Sequence, residues 1–228
     1  MSLLGKDPFK DGPLSAWRNC KNCPLGLHAF KHVLGKGEIP CDVFFLGEGP
    51  GKAEDILGLP FVGRSGKLLE EALEAAGASK LKCFFTNLVA CRPCDGEGRP
   101  NRTPEESEIE SCRARLIECF REAAPSKAIV FLGRTADMYG AFLLQGSSLV
   151  KANFPHPAKI CRQGGTKGEE FHRYVQRFRA FFESLKGESD GRQDKVQPEV
   201  HGASQVQRVL GFDARRTDPK LHDDVAQL

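Results

Sequence analysis

The sequence predicts an α/β fold, a three-layer α/β/α sandwich with a central four-stranded, mostly parallel sheet and a disordered C-terminal tail. Three observations carry this expectation. Four short apolar runs are spaced along the first 155 residues, helical patterns fall between them, and the composition changes at residue 187.

The runs are DVFFLGE (42–48), CFFTNLVA (83–90), AIVFLG (128–133) and LVKANFP (149–155). Each is rich in Phe, Val, Ile or Leu, with polar residues toward its C-terminal end, as in strands buried on both faces. Between them, Ser65 is expected to cap a helix that runs through Ala76 and ends at Gly77. The stretch TPEE (103–106) has the capping-box pattern with proline at the first helical position, and Ile109, Cys112, Leu116 and Phe120 then share one face. A third helix is expected near Thr135. A fourth spans about Gly168 to Leu185, with Phe171, Tyr174, Val175, Phe178, Phe182 and Leu185 at helical spacing. Strand–helix alternation means a parallel sheet covered on both faces, with ligands at the carboxyl ends of its strands.

Residues 1–186 carry 27 basic and 22 acidic side chains, a net of +5, which suits a polyanionic partner without requiring one. Residues 187–228 carry 6 and 8, a net of −2, and read as a disordered polar tail. Its one apolar island, QVQRVLGF (205–212), is a candidate docking motif for a protein partner. No apolar run approaches the roughly 18 residues of a membrane span, and no cationic-then-apolar leader is seen, so a cytoplasmic location is expected. In a reducing compartment, nine cysteines point to metal ligation or burial rather than disulfides.

The stretch GEGPGKAEDILGLPFVGRSG (47–66) starts at a strand end. It is not a phosphate-binding P-loop, because GLPFVGRS (58–65) has Arg64 in place of lysine. Nor does it match the dinucleotide spacing, because position 52 is Lys52. Taken with GEGPG (47–51), GLPFVGRSG (58–66), TNLVACRP (86–93), HPAKICR (156–162), CKNC (20–23) and SCRARL (111–116), the chain resembles the family 4 uracil-DNA glycosylases over about residues 15–185. These form the iron–sulphur-containing branch of the uracil-DNA glycosylase superfamily.

That resemblance implies an enzyme that flips uracil out of DNA and hydrolyses its N-glycosidic bond, leaving an abasic site for base-excision repair. It implies a [4Fe-4S] cluster on Cys20, Cys23, Cys91 and Cys112, although spacing alone admits a structural zinc. Cys94 is a nearby decoy, and Cys41, Cys83, Cys119 and Cys161 read as small buried hydrophobes. Phe61 matches the ring that stacks on the flipped base, and Asn87 matches the amide that reads its edge. His156 matches the donor to the departing uracil anion, and Glu48 the acidic residue that orients water and supports the cationic sugar. Gly47, Gly49 and Gly51 are expected to floor the substrate site, the last two by letting the main chain approach base and sugar. Arg64, Lys159 and Arg162, joined by Lys67 and Arg92, are expected on DNA phosphates, with Ile160 as an apolar wedge.

The chain departs from related patterns in three places. Gly49 stands where the best-known branch has an aspartate, Gly51 stands where it has a tyrosine, and Ala158 replaces the usual serine. The loop 94–102 lacks the histidine with which another subgroup traps DNA, so turnover without a covalent adduct is expected. The expected partner is uracil-containing DNA, single- or double-stranded, acted on by a monomer in the nucleoid. Two alternatives stand beside it: a non-catalytic iron–sulphur DNA-binding protein of the same fold, and a glycosylase for hypoxanthine or a modified uracil.

Overall fold

Alternation along the strands decides which side chains meet which helices. A computed structural model describes residues 8–9, 13–96 and 98–186. The proposed tail and its 205–212 island lie outside these residues. Strand β2 (Val43–Gly47) lies between β3 (Cys83–Asn87) and β4 (Ala128–Leu132), with β5 (Val150–Phe154) beyond β4, all parallel. A two-residue antiparallel strand, β1 (Lys36–Gly37), adds to the outer edge of β3. The sheet therefore has five strands in the order β1-β3-β2-β4-β5, one more than the sequence predicts. The extra strand escapes detection because two residues, one charged and one glycine, carry no periodicity.

Val43, Phe45, Phe85, Val130 and Leu132 face one layer, formed by α3 (Arg64–Ala75), α6 (Pro157–Arg162) and α7 (Glu169–Ser184). Phe44, Leu46, Phe84, Ile129 and Phe131 face the other, formed by α4 (Glu106–Ala123) and α5 (Arg134–Leu143). Burying a phenylalanine contributes about 1.5–3 kcal/mol relative to leaving it exposed. Two stacked ring pairs, Phe45 on Phe85 (4.7 Å) and Phe154 on Phe178 (4.0 Å), anchor the first layer. All five residues expected on the buried stripe of α7 from Phe171 to Phe182 are buried.

Two helix starts differ from expectation. Ser65 lies inside α3, whose N-cap is Gly63. The capping box of α4 is formed by Glu105 and Glu108, two residues beyond Thr103. Glu108 is 2 % exposed and also pairs with Arg102 at 2.8 Å, so the tertiary ion pair shifts the start of the helix. Two short helices that the sequence reading omits, α1 (Pro24–His28) and α2 (Lys52–Leu57), bracket the strand β2 in sequence. None of the helices among the described residues is long and apolar enough to cross a membrane.

Candidate active site

Parallel register places Gly47 directly opposite Asn87 at the carboxyl ends of β2 and β3. Glycine is required at 47 for close approach: a β-carbon there would overlap Asn87 Oδ1 and lie 2.7 Å from Phe61 Cζ. The ring expected to stack and the amide expected to read an edge therefore meet over one bare stretch of main chain. Asn87 is 3 % exposed, and among the described residues its side-chain amide has no hydrogen-bond partner. Phe61 is buried, packs edge-on against Phe85 at 6.0 Å, and has a left-handed backbone with φ of 52°.

The chain turns to opposite sides of the sheet after β2 and β4, which opens a crevice at this end. Glu48 follows β2 and Thr135 lies in the first turn of α5, after β4. Burial pushes the Glu48 carboxyl up from its ordinary value, and a hydrogen bond from Thr135 acts the other way. Thr135 thus acts on this carboxylate from the β4 side.

His156 is the N-cap of α6, and its Nδ1 accepts the Ala158 backbone N–H at 3.2 Å. An accepting Nδ1 puts the ring proton on Nε2 and makes that nitrogen a donor. The Tyr174 hydroxyl, donating to the Pro155 carbonyl at 3.0 Å, fixes the preceding turn. Burial, reinforced by the charge of Arg162, pulls the imidazole down to about 4, against a smaller opposing effect of Glu54. Because the folded value lies below the free value of 6.5, protonation favours the unfolded chain. The associated stability is present above pH 6.5 and is lost as pH falls toward 4. Imidazole NMR should accordingly show His156 neutral through pH 6.5; a midpoint near 6.5 would contradict the half-buried, accepting ring.

Some assignments change. A β-carbon at residue 49 would lie 2.9 Å from Pro93 Cγ, and one at residue 51 would lie 2.6 Å from the Glu54 carboxylate. Gly49 and Gly51, like Gly47, thus bring bare main chain up against protein neighbours. Ile160 is 2 % exposed and packs in the core with α3 and α7, because it lies on the inward face of α6. It presents no apolar wedge to DNA. Its neighbours Lys159 and Arg162 are exposed, as are Arg64 and Lys67 at the start of α3. Arg64 and Arg162 both act on the Cys161 thiol, and Arg162 also acts on His156. Arg92 instead donates to Asn101 at 2.6 Å and to the Arg99 carbonyl at 2.6 Å, bracing its own loop.

On the α4 side, Cys20, Cys23, Cys91 and Cys112 line one small cavity. Cys94 is not among its lining residues, and Cys41, Cys83 and Cys119 are buried elsewhere, with Cys161 partly so. Burial pushes the Cys91 thiol up, and the other three cysteines push it further. Among the described residues no three His, Cys, Asp or Glu side chains converge on a point that would hold a single metal ion. Arg115 also lines the cavity and is 1 % exposed. It donates to Thr86 Oγ1 (3.0 Å), to the Asn87 and Leu88 carbonyls (2.7 Å each) and to Cys112 Sγ (3.6 Å), while its Nε has no partner. A buried cation with no carboxylate among these partners, facing four soft thiols, suits a thiolate-held metal group of net negative charge. The sequence reading passed over Arg115, Thr135, Lys36 and Glu54. Only Arg115 had a signal, its i+3 spacing from Cys112 on a helix.

The family model for the uracil DNA glycosylase superfamily matches residues 34–179. A type-4 uracil-DNA glycosylase of Pyrobaculum aerophilum is 34% identical over 170 residues, which is 67% of this chain and 84% of that protein. The type-4 uracil-DNA glycosylase of Saccharolobus solfataricus is 41% identical over 54% of each chain. That of Thermotoga maritima is 40% identical over 52% of this chain and 59% of its own.

Proposed function

The chain belongs to the type-4 branch of the uracil-DNA glycosylase superfamily, and from that premise we propose that it removes uracil from DNA by hydrolysing the N-glycosidic bond, leaving an abasic site for repair. The observation that carries the site assignment is the meeting of Phe61 and Asn87 over Gly47, with a neutral histidine donor at the same end of the sheet.

In this reading the flipped base lies against the Phe61 ring, and the Asn87 amide answers the N3–H and O4 of uracil. Cytosine reverses the polarity at these atoms and is refused. As the bond breaks, negative charge gathers on uracil, and the His156 Nε2–H donates to O2. A neutral donor suits this task, since it needs no proton to be recruited near neutral pH. Glu48 orients water and supports the cationic sugar from across the β2/β4 crevice. Arg64, Lys159 and Arg162 neutralise phosphates, so binding weakens steeply with salt.

Cys20, Cys23, Cys91 and Cys112, which line one cavity, would hold a [4Fe-4S] cluster, with structural zinc the lesser alternative. When bound, the cluster supplies a cross-link between the N-terminal arm, the segment after β3 and α4. Its charge also offsets that of Arg115. We further assign the protein to the cytoplasm, where its DNA substrate lies, and treat it as a monomer active on single- and double-stranded DNA.

Oligonucleotides carrying uracil, thymine, hypoxanthine or hydroxymethyluracil, followed by alkaline cleavage of abasic sites, test the function. Strand cleavage at uracil alone is expected. Tight binding without cleavage would favour a non-catalytic DNA-binding protein, and cleavage at hypoxanthine or hydroxymethyluracil an altered specificity. Visible absorbance with iron and zinc analysis checks the metal group.

A further inference from the structure

Phe61 holds a conformation that a bulky residue rarely adopts, with φ of 52°. Such a backbone is strained and persists only where its surroundings over-determine it. Two charged side chains do so here. From the edge strand β1, opposite Phe85, Lys36 extends its Nζ to donate to the Phe61 carbonyl at 2.9 Å. On the next two peptides, the Glu54 carboxylate accepts the Val62 and Gly63 N–H groups at 2.9 and 2.7 Å. Lys36 is 1 % exposed and Glu54 is 7 % exposed, so the three bonds are largely shielded from water, which strengthens them. Gly66 completes the seat, since a β-carbon there would overlap the Phe61 carbonyl.

A buried ammonium is costly to keep. A fold that needed only an edge strand at residue 36 would put an apolar side chain there. We propose that Lys36, with Glu54, is a positioning residue for the substrate pocket: by gripping the peptides from 61 to 63 it holds the Phe61 ring over Gly47 and so sets affinity for the base. This rests on the reading of Phe61 as the stacking ring. The charged groups facing Lys36 are Glu70 of α3 and Glu54 of α2; both favour the ammonium, while burial, the larger effect, pulls it down to about 8. The grip is therefore charge-assisted at neutral pH and weakens as pH rises through that value.

The test compares wild type with Lys36→Met on uracil-containing oligonucleotides, with thermal melting to verify folding. KM is expected to rise at least about tenfold with kcat within about threefold, the pattern of lost uniform binding. The inhibition constant of free uracil should rise by the same factor. If Lys36→Met lowers the melting temperature but leaves KM and uracil inhibition unchanged, Lys36 is only structural and the proposal is overturned. Should the variant not fold, the inhibition constant of uracil on wild type from pH 6.5 to 9 decides: weakening near pH 8 supports the grip and a flat profile refutes it. Wild type inert on uracil-containing DNA would refute the function and the grip together, whereas active wild type with an unaffected variant refutes the grip alone.

Discussion

Replacement of His156 by alanine is expected to lower kcat/KM on uracil-containing DNA by about 10²- to 10³-fold, as for loss of a single oxyanion donor. The effect should fall mainly on kcat, because the anion that Nε2–H meets exists only as the bond breaks. His156 also caps α6 through Nδ1, so alanine removes about 1 kcal/mol of helix capping as well. His156→Asn separates the two roles. Asparagine caps a helix well but is too short to place a donor where Nε2 lies. Melting close to wild type with activity as low as the alanine variant is the expected result. Full activity in His156→Asn would show that the cap, and not the donor, is what matters.

The second large effect is on stability. Cys112 takes hydrogen bonds from the Ala90 N–H at 3.4 Å and from Arg115 at 3.6 Å, and it lines the cavity shared by all four cysteines. Cys112→Ala is expected to destabilise the folded protein by roughly 3–5 kcal/mol, the range for stranding a buried charge. That is a large part of the roughly 5–15 kcal/mol that holds a typical domain together. Arg115→Met in the same chain should recover part of the loss, since it removes the stranded cation. Urea unfolding of the two single variants and the double variant measures the coupling. Strict additivity would show that Arg115 does not answer the charge of a thiolate-held group. The bonds from Arg115 to the Asn87 and Leu88 carbonyls make the same cavity a support for the end of β3. Damage there should reach the Asn87 amide as well.

The layers and the four parallel strands were legible in sequence because burial on both faces writes continuous apolar runs, and burial of one helix face writes a 3.6-residue period. The true start of α4 at its Glu105 N-cap was not, since the Arg102 that pairs with Glu108 lies outside the helix. Ile160 shows the same limit. Its position beside the HP motif suggested contact with DNA, yet which face of a six-residue helix turns inward depends on what packs against it.

By itself the sequence determined the chemistry available to this protein: a ring at 61, an amide at 87, an imidazole at 156 and four thiols, placed at strand ends and turns by local pattern. Tertiary structure alone decided which atoms face each other. It set the tautomer of His156 through the Ala158 N–H, the partner of Glu48 through Thr135, and the grip of Lys36 and Glu54 on the Phe61 segment. The physical reason is that hydrogen bonds and desolvation act over a few ångströms in space, between residues far apart along the chain. No local pattern encodes them.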